Sequence, residues 1–167
     1  MELQPLIVGE NVIVRPMVES DFDSLFLVAS DRLIWDMHPF PRYEKAAFVE
    51  FFEPAVKSQS GFVFVDRKTQ KIFGTSRYYN FENDHVFIGY TFLARSHWGG
   101  RYNREIKSLM LGHAFKYVNK VYFDIGETNY RSRKAIEKIG AKFVKNQELK
   151  GKPYTLYVID RESSQLR

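Results

Sequence analysis

The chain has 167 residues, 44% hydrophobic and 27% charged, which suits one ordinary globular domain over 1–167 with enough apolar material for a core. No apolar run approaches the roughly 20 residues that span a bilayer, and the lack of cysteine excludes disulfides, thiolate metal sites and any covalent acyl-cysteine intermediate. Lys plus Arg exceed Asp plus Glu by 25 to 20, for a net charge of +5, which suits polyanionic partners such as nucleotides or cofactor phosphates, or serves solubility alone.

Met1 to Pro5 lacks the basic start and apolar stretch of a secretory signal, so a soluble, cytoplasmic protein with no membrane partner is expected. Asn11 to Pro16 alternates in β-branched residues and ends at proline, predicting a first strand. Glu19, Ser20 and Asp21 offer capping chemistry to a helix with Phe22, Leu25, Phe26 and Ala29 on one face. Leu33 to Pro41 is aromatic, carries two prolines and predicts a loop that covers something. A second helix, Tyr43 to about Ser58, shows Ala47, Phe48, Phe51, Phe52 and Ala55 at helical spacing.

Three strands follow, Gly61 to Asp66, Lys71 to Asn80 and His85 to Leu93, joined by short polar turns as an antiparallel meander. After Trp98-Gly99-Gly100 comes an amphipathic helix with Ile106, Leu109, Met110, Ala114, Tyr117 and Val118 on one face. Lys120 to Ile125 reads as a strand, and Asn129 to Ile139 as a helix ended by Gly140. Two strands close the fold, about Ala141 to Leu149 and Pro153 to Ile159, before a polar tail, Arg161 to Arg167. The sum is a mixed α/β sheet of about seven strands flanked by helices.

Two segments carry the chemistry. Arg95 to Asn103 sets a glycine pair between a strand end and a long helix, where free first-turn amides and the helix dipole suit phosphate. The same pair also suits a plain turn. Neither a Walker lysine nor the dinucleotide glycine spacing is present. In Glu127 to Phe143, a strand delivers the chain to a helix start where Asn129 and Ser132 suit either capping or a ligand, and Arg131, Arg133 and Lys134 either water or phosphate. The histidines, His38, His85, His97 and His113, are scattered, and no metal site is expected. No strand carries the aromatic and glycine motif of RNA-binding sheets, so no nucleic-acid partner is expected.

Together these segments resemble the GNAT superfamily of acetyl-CoA-dependent N-acetyltransferases, within it the branch that acetylates ribosomal-protein N-termini. Glu10 to Pro16 resembles the opening strand of that branch, Ile72-Phe73-Gly74-Thr75 and Ile88-Gly89-Tyr90 its central strands, Trp98 to Tyr102 its pyrophosphate loop, and Asn129, Ser132 and Gly140 its asparagine-led helix. The resemblance implies a mostly antiparallel sheet splayed between the fourth and fifth strands, His85 to Leu93 and Lys120 to Ile125, with the cofactor in the splay. It places pantetheine amides on Phe92, Leu93 and Ala94, the pyrophosphate on Trp98, Gly99, Gly100, Arg101, Tyr102 and Asn103, and the pantetheine arm near Asn129. Ser132 would lie beside the departing thiolate.

The chain departs from the family pattern in three places. Arg101 stands where the loop has its second glycine, Phe87 where many relatives carry an acid, and Ile136 where many carry a tyrosine. With no cysteine, direct attack of a primary amine in a ternary complex is the natural scheme. The Leu93 amide suits an oxyanion donor. His85 shares a strand face with Phe87 and is the expected base; Glu82, Asp84 and Tyr90 are weaker candidates, and Glu105 reads as loop support. The proline-rich stretch Trp35 to Pro41, with Trp35 and Phe40, and the strand residues Tyr78 and Tyr79 are expected to form the amine pocket, although Trp35 and Phe40 also suit a core. Asp36, Glu44 or Glu82 would attract a cationic amine. The acceptor is either a small molecule or a protein N-terminus, and the chain a monomer or homodimer. The alternative is a non-catalytic acyl-CoA-binding domain of the same fold.

Overall fold

The computed structural model describes residues 1–164; the end of the polar tail, 165–167, lies outside the described residues. Among these residues the strands are β1 (Ile7–Val8), β2 (Val12–Pro16), β3 (Gly61–Asp66), β4 (Ile72–Glu82), β5 (His85–Leu93), β6 (Lys120–Gly126), β7 (Lys142–Leu149) and β8 (Lys152–Asp160). The helices are α1 (Phe22–Ala29), α2 (Lys45–Lys57), α3 (Arg101–Ala114) and α4 (Tyr130–Lys138). The strands form one sheet in the order β1-β2-β3-β4-β5-β6-β8-β7. Every pairing is antiparallel except β5 with β6.

The mixed, mostly antiparallel sheet and its helices match the sequence reading, with one strand added. β1 is two residues long, too short to give a period. α3 also ends earlier than its apolar pattern suggests, at Ala114. The turn beyond it exposes Tyr117 and returns Val118 to the core. Asp21 does not cap α1. Its carboxylate instead receives the Arg15 guanidinium at 2.8 and 2.9 Å and the Val18 N–H at 2.9 Å, which ties the end of β2 to the turn that follows.

Both faces of the sheet are covered. β3 is buried along its whole length and sends alternate side chains to opposite faces. Phe62 and Phe64 join Tyr78, Ile88, Met110 and Phe123 in one core, while Val63 and Val65 join Leu25, Phe48, Phe52 and Phe92 in the other. The start of α3 is bound to β2 by polar contacts. The Glu105 carboxylate accepts the backbone N–H groups of Asn11 and Val12 at 2.8 and 3.1 Å and the Asn11 side-chain amide at 3.0 Å. Glu105 therefore supports the loop, as its place in the sequence suggests.

Replacing Glu105 by Ala strands these donors, and hydrogen bonds to a charged group contribute roughly 1.5–3 kcal/mol. Urea unfolding of Glu105→Ala is expected to show a loss of about 2 kcal/mol. An unchanged midpoint would mean that the clamp does not hold α3.

Candidate active site

β5 and β6 pair through only three positions, His85↔Lys120, Val86↔Val121 and Phe87↔Tyr122. Past that point β6 stays with β8 as far as Gly126↔Tyr154. β5 stays with β4 but carries one extra residue, where the register steps from Arg77↔Gly89 to Thr75↔Phe92. Tyr90 sits at this bulge with φ +55°, in the left-handed region. A bulge bends its strand, and here the two strands part. A cleft of about 1040 Å³ opens between Ile88–Leu93 on one side and Phe123–Gly126 on the other.

At one end the cleft meets the start of α3. Gly99 and Gly100 adopt φ +109° and +94°, and a Cβ on either would meet nothing within 4 Å. Glycine is needed there for backbone conformation, and its lack of a side chain leaves the loop amides bare. The Arg104 N–H is the first to bond back, to the Gly100 carbonyl at 2.9 Å, so the N–H groups of Arg101, Tyr102 and Asn103 have no intrahelical acceptor. Arg101, Arg104, Arg131, Lys134 and Lys138 line the same region. Arg131 lies over the Trp98 ring at 3.9 Å, and the Trp98 indole donates to the Leu93 carbonyl at 3.0 Å, tying the loop to β5. Arg101 donates to the Asn11 side-chain oxygen at 2.5 Å.

Asn129 lines the middle of the cleft and caps α4. Its Oδ1 accepts the Ser132 N–H at 3.4 Å, while its Nδ2 makes no hydrogen bond among the described residues. The Ser132 hydroxyl lines the cleft and is likewise unbonded among them. Below them is Lys107, buried, with its ammonium 5.5 Å from the Phe123 ring centroid. Burial lowers its pKa to about 8.

The far end is aromatic. Phe40 stacks on Tyr154 at 6.3 Å, and Tyr79 meets Tyr90 edge-on at 5.1 Å. The Tyr79 hydroxyl donates to Asp124 Oδ2 at 2.9 Å, and the Gln147 amide donates to Oδ1 at 2.6 Å. Burial, with the Asp124 charge, pushes the Tyr79 phenol well above its ordinary range, so it stays protonated. The loop before α2 lies over this end: a Cβ at Gly126 would come within 2.8 Å of Pro39, so only glycine lets the loop sit so close. That loop brings His38 and Arg42 into the lining. Burial, together with Arg42 and Arg131, lowers the His38 pKa to about 4 and keeps the imidazole neutral.

Of the residues expected at the cofactor, Phe92, Leu93, Trp98, Gly99, Gly100, Arg101, Asn103, Asn129 and Ser132 all line this one cleft. Two do not. The Ala94 amide donates to the Phe73 carbonyl at 2.7 Å, and the Tyr102 ring packs against Phe73 and His97. Of the acceptor residues, Phe40 and Tyr79 line the far end. Tyr78 points through the opposite face, where its hydroxyl donates to the Met110 carbonyl at 2.6 Å, because neighbours on a strand alternate. Trp35 is buried behind the lining, with its indole donating to the Ala29 carbonyl. His85 lies outside the cleft, edge-on to Phe87 and Tyr122 at the closed end of the strand pair. Asp36, Glu44 and Glu82 are exposed and outside the lining. His38 lies in the Trp35–Pro41 stretch expected to build the pocket, while sequence reasoning missed Arg42, Lys107, Asp124 and Tyr154. Only Lys107 left a trace, as a lysine beside Ile106 on the apolar stripe of α3.

A family model of the acetyltransferase (GNAT) domain matches residues 11–142. The chain belongs to the GNAT acetyltransferases. Solved structures agree in fold. A GCN5-related N-acetyltransferase from Brucella melitensis matches with a TM-score of 0.82 at 19% identity, over 96% of this chain and 80% of that one. The ribosomal-protein-S5-alanine acetyltransferase from Vibrio fischeri gives 0.69 at 16%, over 98% and 100%. AAC(6')-Ib, solved with ribostamycin and coenzyme A, gives 0.75 at 20%, over 92% and 96%. No curated protein matches the chain. Acetyl-CoA is the cofactor of GNAT acetyltransferases, and this cleft fits it: bare amides and cations at one end, an unpaired strand edge and a free amide along its length.

Lys107 also makes stability depend on pH. Its folded pKa of about 8 lies below the ordinary 10.5, so between these values the unfolded chain binds more protons and stability rises with pH. Below pH 8 the full penalty applies, on the order of 3 kcal/mol. Lys107→Met is therefore expected to be more stable than the parent at pH 7, with the gain shrinking as pH rises toward 10. A gain independent of pH would contradict the assignment.

Proposed function

We propose that this GNAT chain transfers the acetyl group of acetyl-CoA to a primary amine by direct attack in a ternary complex. The observation that carries this reading is the continuity of the cleft, which joins the amide cradle of α3 to the aromatic end without a break. Bound acetyl-CoA supplies an acetyl thioester. The amides of Arg101 to Asn103, with Arg101 and Arg104, hold its phosphates. The β5 backbone from Ile88 to Leu93, which has no β6 partner, pairs with the amides of the arm, and Asn129 Nδ2 donates to it.

Phe40, Tyr79, Tyr90 and Tyr154 hold the acceptor and exclude water from the attack. Arg42 and Arg131 make this region positive, which disfavours an ammonium and leaves the amine free to attack. His38 stays neutral and accepts a hydrogen bond from the amine, which orients it. Ser132 hydrogen-bonds the departing sulfur and relays to it the proton that the amine nitrogen sheds as the amide forms, so CoA leaves as the thiol and the serine keeps its hydroxyl. The acceptor is a small-molecule amine or a protein N-terminus. Full coverage of the Vibrio fischeri S5-alanine enzyme supports including the latter.

Calorimetric titration with acetyl-CoA is expected to give micromolar binding, weakened about tenfold or more by Gly99→Glu, which sets a carboxylate beside the phosphates at a backbone position with φ +109°, and by Asn129→Ala, which removes an amide contact to the arm. No binding by the parent chain would overturn the reading. Release of CoA thiol with an amine panel tests transfer, and Ser132→Ala is expected to lower kcat roughly tenfold or more with little change in cofactor affinity. Tight binding with no thiol release would favour a non-catalytic acyl-CoA-binding domain, which the buried Ile136 and the ring-packed Phe87 also suit.

A further inference from the structure

The charges at the aromatic end of the cleft are arranged for an anion. Asp124, the carboxylate in the lining, is already engaged on both oxygens by the Tyr79 hydroxyl and the Gln147 amide. Arg42 is the opposite case. Its guanidinium lies 4.8 Å from the Phe51 ring centroid, 5.8 Å from Trp35 and 5.9 Å from Tyr90. It has no hydrogen bond or ion pair among the described residues, yet it lines the cleft. These ring contacts take up none of its N–H groups in a hydrogen bond, so the guanidinium fork is unspent among the described residues. A cation taken partly out of water with no counter-charge is costly unless a partner arrives from outside.

We infer that the acceptor amine carries a carboxylate a few bonds from its nitrogen, and that Arg42 grips this carboxylate as the specificity-determining contact. The inference rests on the transfer reading above and names its substrate class. A planar fork matches a carboxylate through two parallel hydrogen bonds. The aromatic walls then hold the carbon skeleton between the carboxylate and the amine. A polycationic acceptor meets the reverse arrangement, an unpaired cation and a carboxylate already hydrogen-bonded.

The test is thiol release from acetyl-CoA by the full chain with matched acceptors: free amino acids, the same amino acids as amides, an alanine-initiated peptide amide and a polyamine. Free amino acids are expected to exceed their amides by about tenfold or more in kcat/KM, the usual worth of a charge-assisted pair. Arg42→Gln is expected to bring that ratio near one through KM, and Arg42→Lys to recover only part of it, since the charge returns without the fork. Unchanged acetyl-CoA affinity verifies that each variant is folded, and the amide comparison on the parent chain stands without any variant. Equal or better turnover of amides, peptide amide or polyamine would overturn the inference and leave the transfer reading standing. Turnover of no amine by a chain that binds acetyl-CoA would overturn both.

Discussion

Parallel pairing between β5 and β6 lasts for three residue pairs, and its end at Phe87↔Tyr122 is the constraint on which the rest of the site depends. Each strand has a stronger commitment elsewhere. β6 is held to β8 over seven residues, and β5 to β4 almost from end to end. Twist and the bulge at Tyr90 carry the two ladders apart. An open strand edge inside a protein leaves backbone donors and acceptors without partners, a cost tolerated where a ligand completes them. The helices complete the opening. α3 points its N-terminal amides at one end, and α4 places Asn129 and Ser132 along its length. The loop before α2 roofs the other end by resting Pro39 on Gly126.

Local chemistry made much of this legible. The glycine pair before α3 and the asparagine at the head of α4 each carry a local signal, and the structure brings both to one cleft. The run of buried residues in β3 and the stripe on α3 likewise follow from periods of 2 and 3.6. What escaped depends on contacts between distant parts of the chain. Arg42 and His38 reach the site because a proline loop folds back over β6; the loop's aromatic and proline content announces a cover, but not what it covers. Gly126 is half of that contact, and a lone glycine at a strand end gives no hint of a proline from residue 39.

Two misplacements have simple causes. Tyr78 and Tyr79 are adjacent on β4 and cannot share a face, so one is a core residue hydrogen-bonded to α3 and the other a wall of the acceptor end. His85 does share its face with Phe87, as the alternation requires. It lies before the strands part, however, and position along a strand matters as much as face when only one end of the strand lines the site.

The remaining question is how proton transfer proceeds without the groups that many relatives use. Ile136 is packed in the core, and Phe87 lies 5.2 Å from the Tyr79 ring and 5.3 Å from Tyr122, so neither position can exchange a proton. Burial, with Arg42 and Arg131, depresses the imidazole of His38, and burial and positive charge both disfavour an ammonium in the same space. On the transfer reading proposed above, an amine there would surrender its proton to water before attack, with no strong base stationed beside it. An acceptor carboxylate held by Arg42 would offset that arginine's charge, so burial and Arg131 would be left to keep the amine neutral while Arg42 chose the acceptor.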